Sequence, residues 1–287
     1  MGNLYGFLGA VGSNELALVS LNADLQETLG EIFSVYEEQF LNGIDETIGF
    51  DGGYSPDSNQ LVQMPLIAEM ANLVQQIDLG AIGRDRYDPR TRPPEDLRAL
   101  AWAVDEGPER RVLIQNFTRA QALSRKTILN FDGETFNRLS EPTLLISNKI
   151  DAVISNGMIK FKKFNVLRQI FDMFEVYREA TDQDILDFSN IANIHIEDLA
   201  SFTASANKTA RKLIFSVSRS GILDNRTADE IRTMAQSVDI NLQVENDRIV
   251  IPRGSDLSNI LRFLDNSIYR SPVTNERWMA NSRRKLG

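Results

Sequence analysis

The first 83 residues contain no lysine or arginine although they carry twelve carboxylates, and all 31 basic residues lie in 84–287 against 28 acidic ones. The net charge of −9 therefore divides into −12 and +3. The two parts face different partners or face each other. Anion recognition is to be sought in the basic part.

With 287 residues and 42% hydrophobic content the chain can bury a full core, and its length favours two compact units. The absence of cysteine excludes disulfides, thiolate metal sites and a cysteine nucleophile, and fits an intracellular protein. No apolar run reaches the roughly 18 residues needed to cross a bilayer, and no secretory leader is expected. The resulting expectation is a cytoplasmic protein.

Two short strands around Gly12-Ser13-Asn14 open the chain, and a helix to Leu41 follows from the spacing of Leu25, Leu29, Ile32, Phe33, Tyr36 and Phe40. A loop from Gly49 to Gln60 and a mostly apolar segment to Ile82 come next. The arginine- and proline-rich stretch 84–94 reads as a loop or linker, and Pro93-Pro94-Glu95-Asp96 suits the first turn of a short helix through Trp102. Strands are then predicted at 111–115, 124–131, 142–147, 149–154 and 158–164, a β-meander whose last hairpin turns at Asn156-Gly157. Helices are predicted at 165–180, 182–192, 195–204, 206–220, from Thr227 to about Gln236 behind a capping box with Glu230, and at 255–264. A second hairpin turns at Asn246-Asp247, and the basic end is read as irregular. The expected class is α+β: an acidic N-terminal hairpin-plus-helix region, 1–107, followed by a β-meander with several packed helices, 108–287.

Three clusters could bind an anion. On the helix 206–220, Lys208, Arg211, Lys212 and Arg219 fall within one arc opposite Ala210, Ile214 and Val217, with Phe215 amid the cations. This face is a nucleic-acid contact, a solvated surface, or a surface packed under another domain. Lys160 and Lys162 share one strand face, where two phosphates could be held; lysines that protect a sheet edge would look the same. The C-terminal stretch combines Trp278 with Arg283, Arg284 and Lys285, a mixture suited to phosphate contact plus stacking.

Catalytic signals are poor. No phosphate-cradling glycine loop or metal-ligand cluster is present, the single histidine, His195, reads as structural, and no cofactor or catalytic set is expected. Asp151 with Lys160 and Lys162 resembles part of a metal-dependent nuclease hairpin, yet the acidic residue expected two positions before the lysine is missing, so Glu134, Glu141 or Glu175 would have to replace it.

The stretch KIDAVISNGMIKFKKFNVLRQIFDMFEVYREATD at 149–182, with SGILDNRTADEIR, RIVIP and RFLDNSIYRSPVTNERWMANSRRKL, resembles the KwaB-like proteins of the Kiwa anti-phage defence system. The likeness covers roughly 108–286. It implies a cytosolic bacterial protein that works with a KwaA-like membrane protein, which recruits it to the inner membrane, and that binds double-stranded phage DNA to restrain replication and transcription. A homodimer is expected. The acidic region then serves as a dimer surface, as the surface for the membrane partner, or as a cover for the basic face. The alternatives are a nuclease using Asp151 and Lys162, and a protein-interaction adaptor without DNA contact.

Overall fold

The computed structural model describes residues 2–78, 85–104, 110–122, 128–131, 133, 135–139, 143–252, 255–280 and 282. Its Cα trace divides into two compact units, 1–50 with 56–172, and 51–55 with 173–287.

The first unit contains, in chain order, β1 (Gly2–Leu8), β2 (Glu15–Val19), α1 (Ala23–Leu41), β3 (Glu46–Gly49), β4 (Gln60–Pro65), α2 (Ala68–Asp78), β5 (Leu97–Val104), β6 (Arg111–Asn116), β7 (Ile128–Phe131), β8 (Phe136–Leu139), β9 (Ala152–Ser155), β10 (Met158–Phe161) and α3 (Phe164–Ile170). Among the described residues, eight of these strands make one sheet in the order β2-β1-β5-β6-β9-β10-β4-β3. Of the expected meander, β6, β9 and β10 are antiparallel neighbours here, whereas β7 pairs with β8 in a separate two-stranded sheet and β5 joins on the other side of β6. Asn156 and Gly157 take φ of 52° and 71°, the two positive values that a two-residue hairpin turn needs.

Strand alternation sorts the sheet into two faces. The row Tyr5, Ala101, Ile114, Ala152, Phe161, Val62 and Ile48 is buried from end to end, and α3 packs over its β5 and β6 part. The opposite row runs Leu4, Trp102, Leu113, Val153 and then Lys160 and Gln63. Helix α1 covers its apolar part with Leu29, Phe33 and Phe40, and Phe33 stacks on Trp102 at 5.5 Å. Gly2 makes room for that indole, since a Cβ there would lie 2.5 Å from the Trp102 ring.

The short helix expected through Trp102 is instead a single 3₁₀ turn, Pro94–Asp96, followed by β5. Seven consecutive buried residues reflect a central strand covered on both sides, and such a run has no period by which to tell strand from helix. The position 107/108, where the sequence suggests a boundary, lies between β5 and β6, which pair from Ala99–Asn116 to Val104–Arg111. The acidic block thus shares one sheet with the chain that follows it. Glu15, Glu37, Glu69 and Asp78 reach Arg92, Arg111, Arg98 and Arg110 at 3.3, 2.9, 3.0 and 2.7 Å, so the two kinds of sequence do face each other.

The second unit contains α4 (Asp182–Ser189), β11 (Ile194–His195), α5 (Leu199–Ser205), α6 (Lys208–Ser220), α7 (Ala228–Gln236), β12 (Val244–Glu245), β13 (Arg248–Val250), α8 (Ser255–Leu264), β14 (Ile268–Arg270) and β15 (Arg277–Met279). Its core joins Ile185, Phe188, Phe202, Ile214, Val217, Ile231 and Leu261. The starts of α4, α5, α6 and α7 are capped by short polar side chains that accept first-turn amides: Thr181 with Asp184, Asp198, Asn207, and Thr227 with Glu230. Asn246 and Asp247, both at positive φ, turn the β12–β13 hairpin.

The helix expected over 165–180 stops at Ile170. Phe171 turns to extended backbone (φ −122°, ψ 150°) and packs its ring 6.0 Å from Phe7, while Met173 begins the second unit. Tertiary packing overrides a local period here. The basic end likewise holds a hairpin, β14–β15, where an irregular segment was expected.

Candidate nucleic-acid interface

Helix α6 forms because Asn207 accepts from the Ala210 amide at 3.0 Å and Ala210, Ile214 and Val217 enter the core, while Gly221 at φ 69° ends it. At about 100° per residue, Lys208, Lys212, Phe215 and Arg219 lie in a stripe about 60° wide and about 16 Å long. The segment 173–180 of the same unit runs beside this stripe. Arg178 lies 4.6 Å from the Phe174 ring centroid and 4.7 Å from that of Phe215, and Arg219 lies 5.4 Å from Phe215 on its own helix. Rings and guanidinium groups therefore alternate, and Phe215 has its partners within the unit. Lys212 Nζ stands 5.9 Å from the Tyr177 ring.

The cations of this face are not equivalent. The Arg178 guanidinium donates to both carboxylate oxygens of Asp184, at 2.6 Å from Nη2 to Oδ1, and Thr181 donates to the same carboxylate. This hydrogen bonding raises Arg178 and holds Asp184 well below the usual carboxylate range. Arg211 donates to the carbonyls of Ala206, Ala180 and Thr203 and to the Asp182 carboxylate, at 3.2, 2.8, 3.2 and 2.8 Å. Arg219 donates to the Glu175 carbonyl at 2.8 Å but meets no carboxylate among the described residues. Lys208 and Lys212 are exposed and also make no ion pair among them. Three positive charges, Lys208, Lys212 and Arg219, thus remain on one stripe without an ion pair among the described residues.

Because the folded pKa of Asp184 is depressed, its contribution to stability is present above the unfolded carboxylate value of about 3.9 and is lost as pH falls below it. Asp184→Asn is expected to be less stable at pH 7 and to lose less stability than the parent on acidification from about pH 5, as urea unfolding at a series of pH values will show.

Lys160 and Lys162 stand in the first unit on the α1 side of the sheet. Lys160 lies opposite Val153 and Gln63 on an interior strand, which removes edge protection as its explanation, and Lys162 Nζ sits 5.2 Å from the Phe40 ring. Asp151 accepts from Lys149 Nζ at 2.7 Å and from the Asn116 amide at 2.9 Å. Among the described residues no three acidic or histidine side chains gather as metal ligands. Glu134 and Glu141 lie outside the described residues, and Glu175 belongs to the second unit. Trp278 is half exposed on β15, opposite Tyr269 on β14; Arg283, Arg284 and Lys285 lie outside the described residues. Arg178 escaped the sequence reading, since a continuous helix through 180 places Phe174 and Tyr177 in a core stripe rather than beside α6.

Fold and charge define an α+β protein of two compact units whose second unit presents a cation-rich helix, and no described helix is long and apolar enough to cross a membrane. The family model described as Kiwa protein KwaB-like matches residues 113–274, more than half of the chain, and the protein belongs to that family. It is thereby a component of the Kiwa anti-phage defence system. Comparison with curated proteins and with solved structures gives no match. The matched segment contains α6, Arg178 and the β9–β10 hairpin.

Proposed function

We propose that this chain is the DNA-binding component of its Kiwa system. It acts in the cytoplasm, is held at the inner membrane by a KwaA-like partner, and restrains replication and transcription of phage DNA by gripping duplex phosphates. The observation that carries the reading is the stripe of cations on α6, inside the family segment, that make no ion pair among the described residues, while the nearby carboxylates of Asp184 and Asp182 already hold Arg178 and Arg211. Phosphate contacts of this kind need no base readout. Lys160 and Lys162 are second candidates on their own unit.

Fluorescence anisotropy of labelled duplex DNA across a salt series tests the proposal. Each phosphate contact adds about −0.9 to the slope of log affinity against log salt, so Lys208→Ala, Lys212→Ala and Arg219→Ala together are expected to flatten the slope by about 2.7 and to weaken binding at least tenfold at low salt. Binding that ignores these substitutions would move the interface elsewhere, and no binding at low salt would favour the adaptor. The series is repeated with magnesium, where cleavage lost in Asp151→Ala would replace simple binding by nuclease chemistry.

A further inference from the structure

The second unit contains a cleft of about 360 Å³ at the crossing of the segment after α7, the end of β13, α8 and β15. Its floor is apolar, formed by the buried Ile240, Val250 and Ile260, and its rim is polar. Three primary amides, Asn241, Gln243 and Asn259, line the cleft, and none of their side chains bonds to a described residue. Arg277 joins them; it donates to the Val238 carbonyl at 3.3 Å through one nitrogen and keeps further N–H groups. Asp239, the one carboxylate among the described lining residues, is held by Arg270 at 2.5 Å, so it opposes an incoming anion less than a free carboxylate would.

This combination selects a chemistry. An aliphatic floor takes a flat, weakly polar ring, whereas a primary amide presents one donor and one acceptor side by side, the pattern with which Asn and Gln meet the edge of adenine. A guanidinium at the rim suits a phosphate carried by the same molecule. The size falls within the range of small-molecule sites, about 300–1,000 Å³. We propose that the cleft binds a single nucleotide unit, its base on the Ile240, Val250 and Ile260 floor, its base edge on the amides and its phosphate toward Arg277. The unit comes either from a free mononucleotide or from an unpaired position in a single strand. The site is separate from the α6 stripe and stands whether or not that stripe grips DNA.

Saturation-transfer NMR on the full chain tests it, with dAMP, dCMP, dGMP and dTMP as one set of probes and a five-nucleotide single strand as the other. The expected result is transfer strongest at base protons and weaker at the sugar, with Asn241→Ala combined with Asn259→Ala lowering affinity at least tenfold. Arg277→Ala should weaken nucleotides while sparing the unphosphorylated nucleosides. Lys208→Ala with Lys212→Ala should leave mononucleotide binding unchanged, which separates this site from the DNA interface. Binding of the free nucleotides identifies a soluble ligand, and binding of the oligonucleotide alone identifies a strand when it persists in Lys208→Ala with Lys212→Ala and is lost in Asn241→Ala with Asn259→Ala. Absence of both, competition by deoxyribose 5-phosphate at equal affinity, or indifference to the folded Asn241 and Asn259 variants would overturn the proposal.

Discussion

Glu69→Ala is expected to lower the stability of the first unit by about 3–5 kcal/mol, because it leaves a buried guanidinium without its counter-charge. The side chains of Arg98 and Glu69 are only 6% and 8% exposed and meet at 3.0 Å. Arg98 reaches this place through a bulge. Between Phe7 and Leu8 the β1–β5 register slips, so that Arg98 becomes the extra residue and turns toward Phe7, 5.8 Å from its ring. There it donates to the carbonyls of Leu8, Ser13 and Ile170, at 2.5 Å for Ser13 and 2.9 Å for Ile170. Glu69 accepts in turn from the amides of Gly12 and Asp172 at 3.2 and 2.7 Å. Burial pushes the guanidinium below its ordinary pKa, against the opposing pull of Glu69.

An isolated buried pair can often be exchanged for apolar residues at little cost. Here five main-chain groups depend on the pair, and each one left unsatisfied costs about 1–3 kcal/mol. The double variant Arg98→Met with Glu69→Leu should therefore stay as unstable as Glu69→Ala or fall below it. With Trp278→Phe as background, buried Trp102 is the remaining tryptophan and its emission reports unfolding of the first unit in urea. A double variant restored to parental stability would show that the main-chain contacts contribute little.

The sequence made much of the local structure legible. The cap at Thr227 and the turns at Asn156-Gly157 and Asn246-Asp247 act through neighbouring atoms and can be read without a fold. Two kinds of feature could not. Strand β5 is buried on both faces, so its eight residues carry no alternation to distinguish it from a helix. The segment 171–180 is irregular because Phe171 belongs to one core and Phe174 to an exposed ring-and-arginine series in the other unit, a division no local period encodes. The charge split was legible as an asymmetry. Its partners were not, since Glu69 and Arg98 are 29 residues apart and meet only through a bulge.

The same limit governs the cationic helix, where periodicity grouped Arg211 with Lys208, Lys212 and Arg219. Position within an arc of about 100° fixes a direction, but it does not say which charges are already used. Arg211 joins the start of α6 to Ala180 ahead of α4, to Thr203 near the end of α5 and to Asp182. Arg211→Ala should destabilise the second unit by about 2–3 kcal/mol, the range for hydrogen bonds made by a charged group, and Arg211→Lys should recover little because an ammonium cannot reproduce the fork. Hydrogen exchange over 181–220 is the measurement, with amides there expected to exchange about 30- to 150-fold faster at the same pH, the rate equivalent of that energy. Lys208→Ala should behave in the opposite way, leaving exchange unchanged while reducing DNA affinity and its salt slope. If Arg211→Ala instead keeps parental protection and flattens the salt slope by about 0.9, its guanidinium leaves the Ala180 and Thr203 carbonyls to meet a phosphate, and the stripe of α6 is one cation wider.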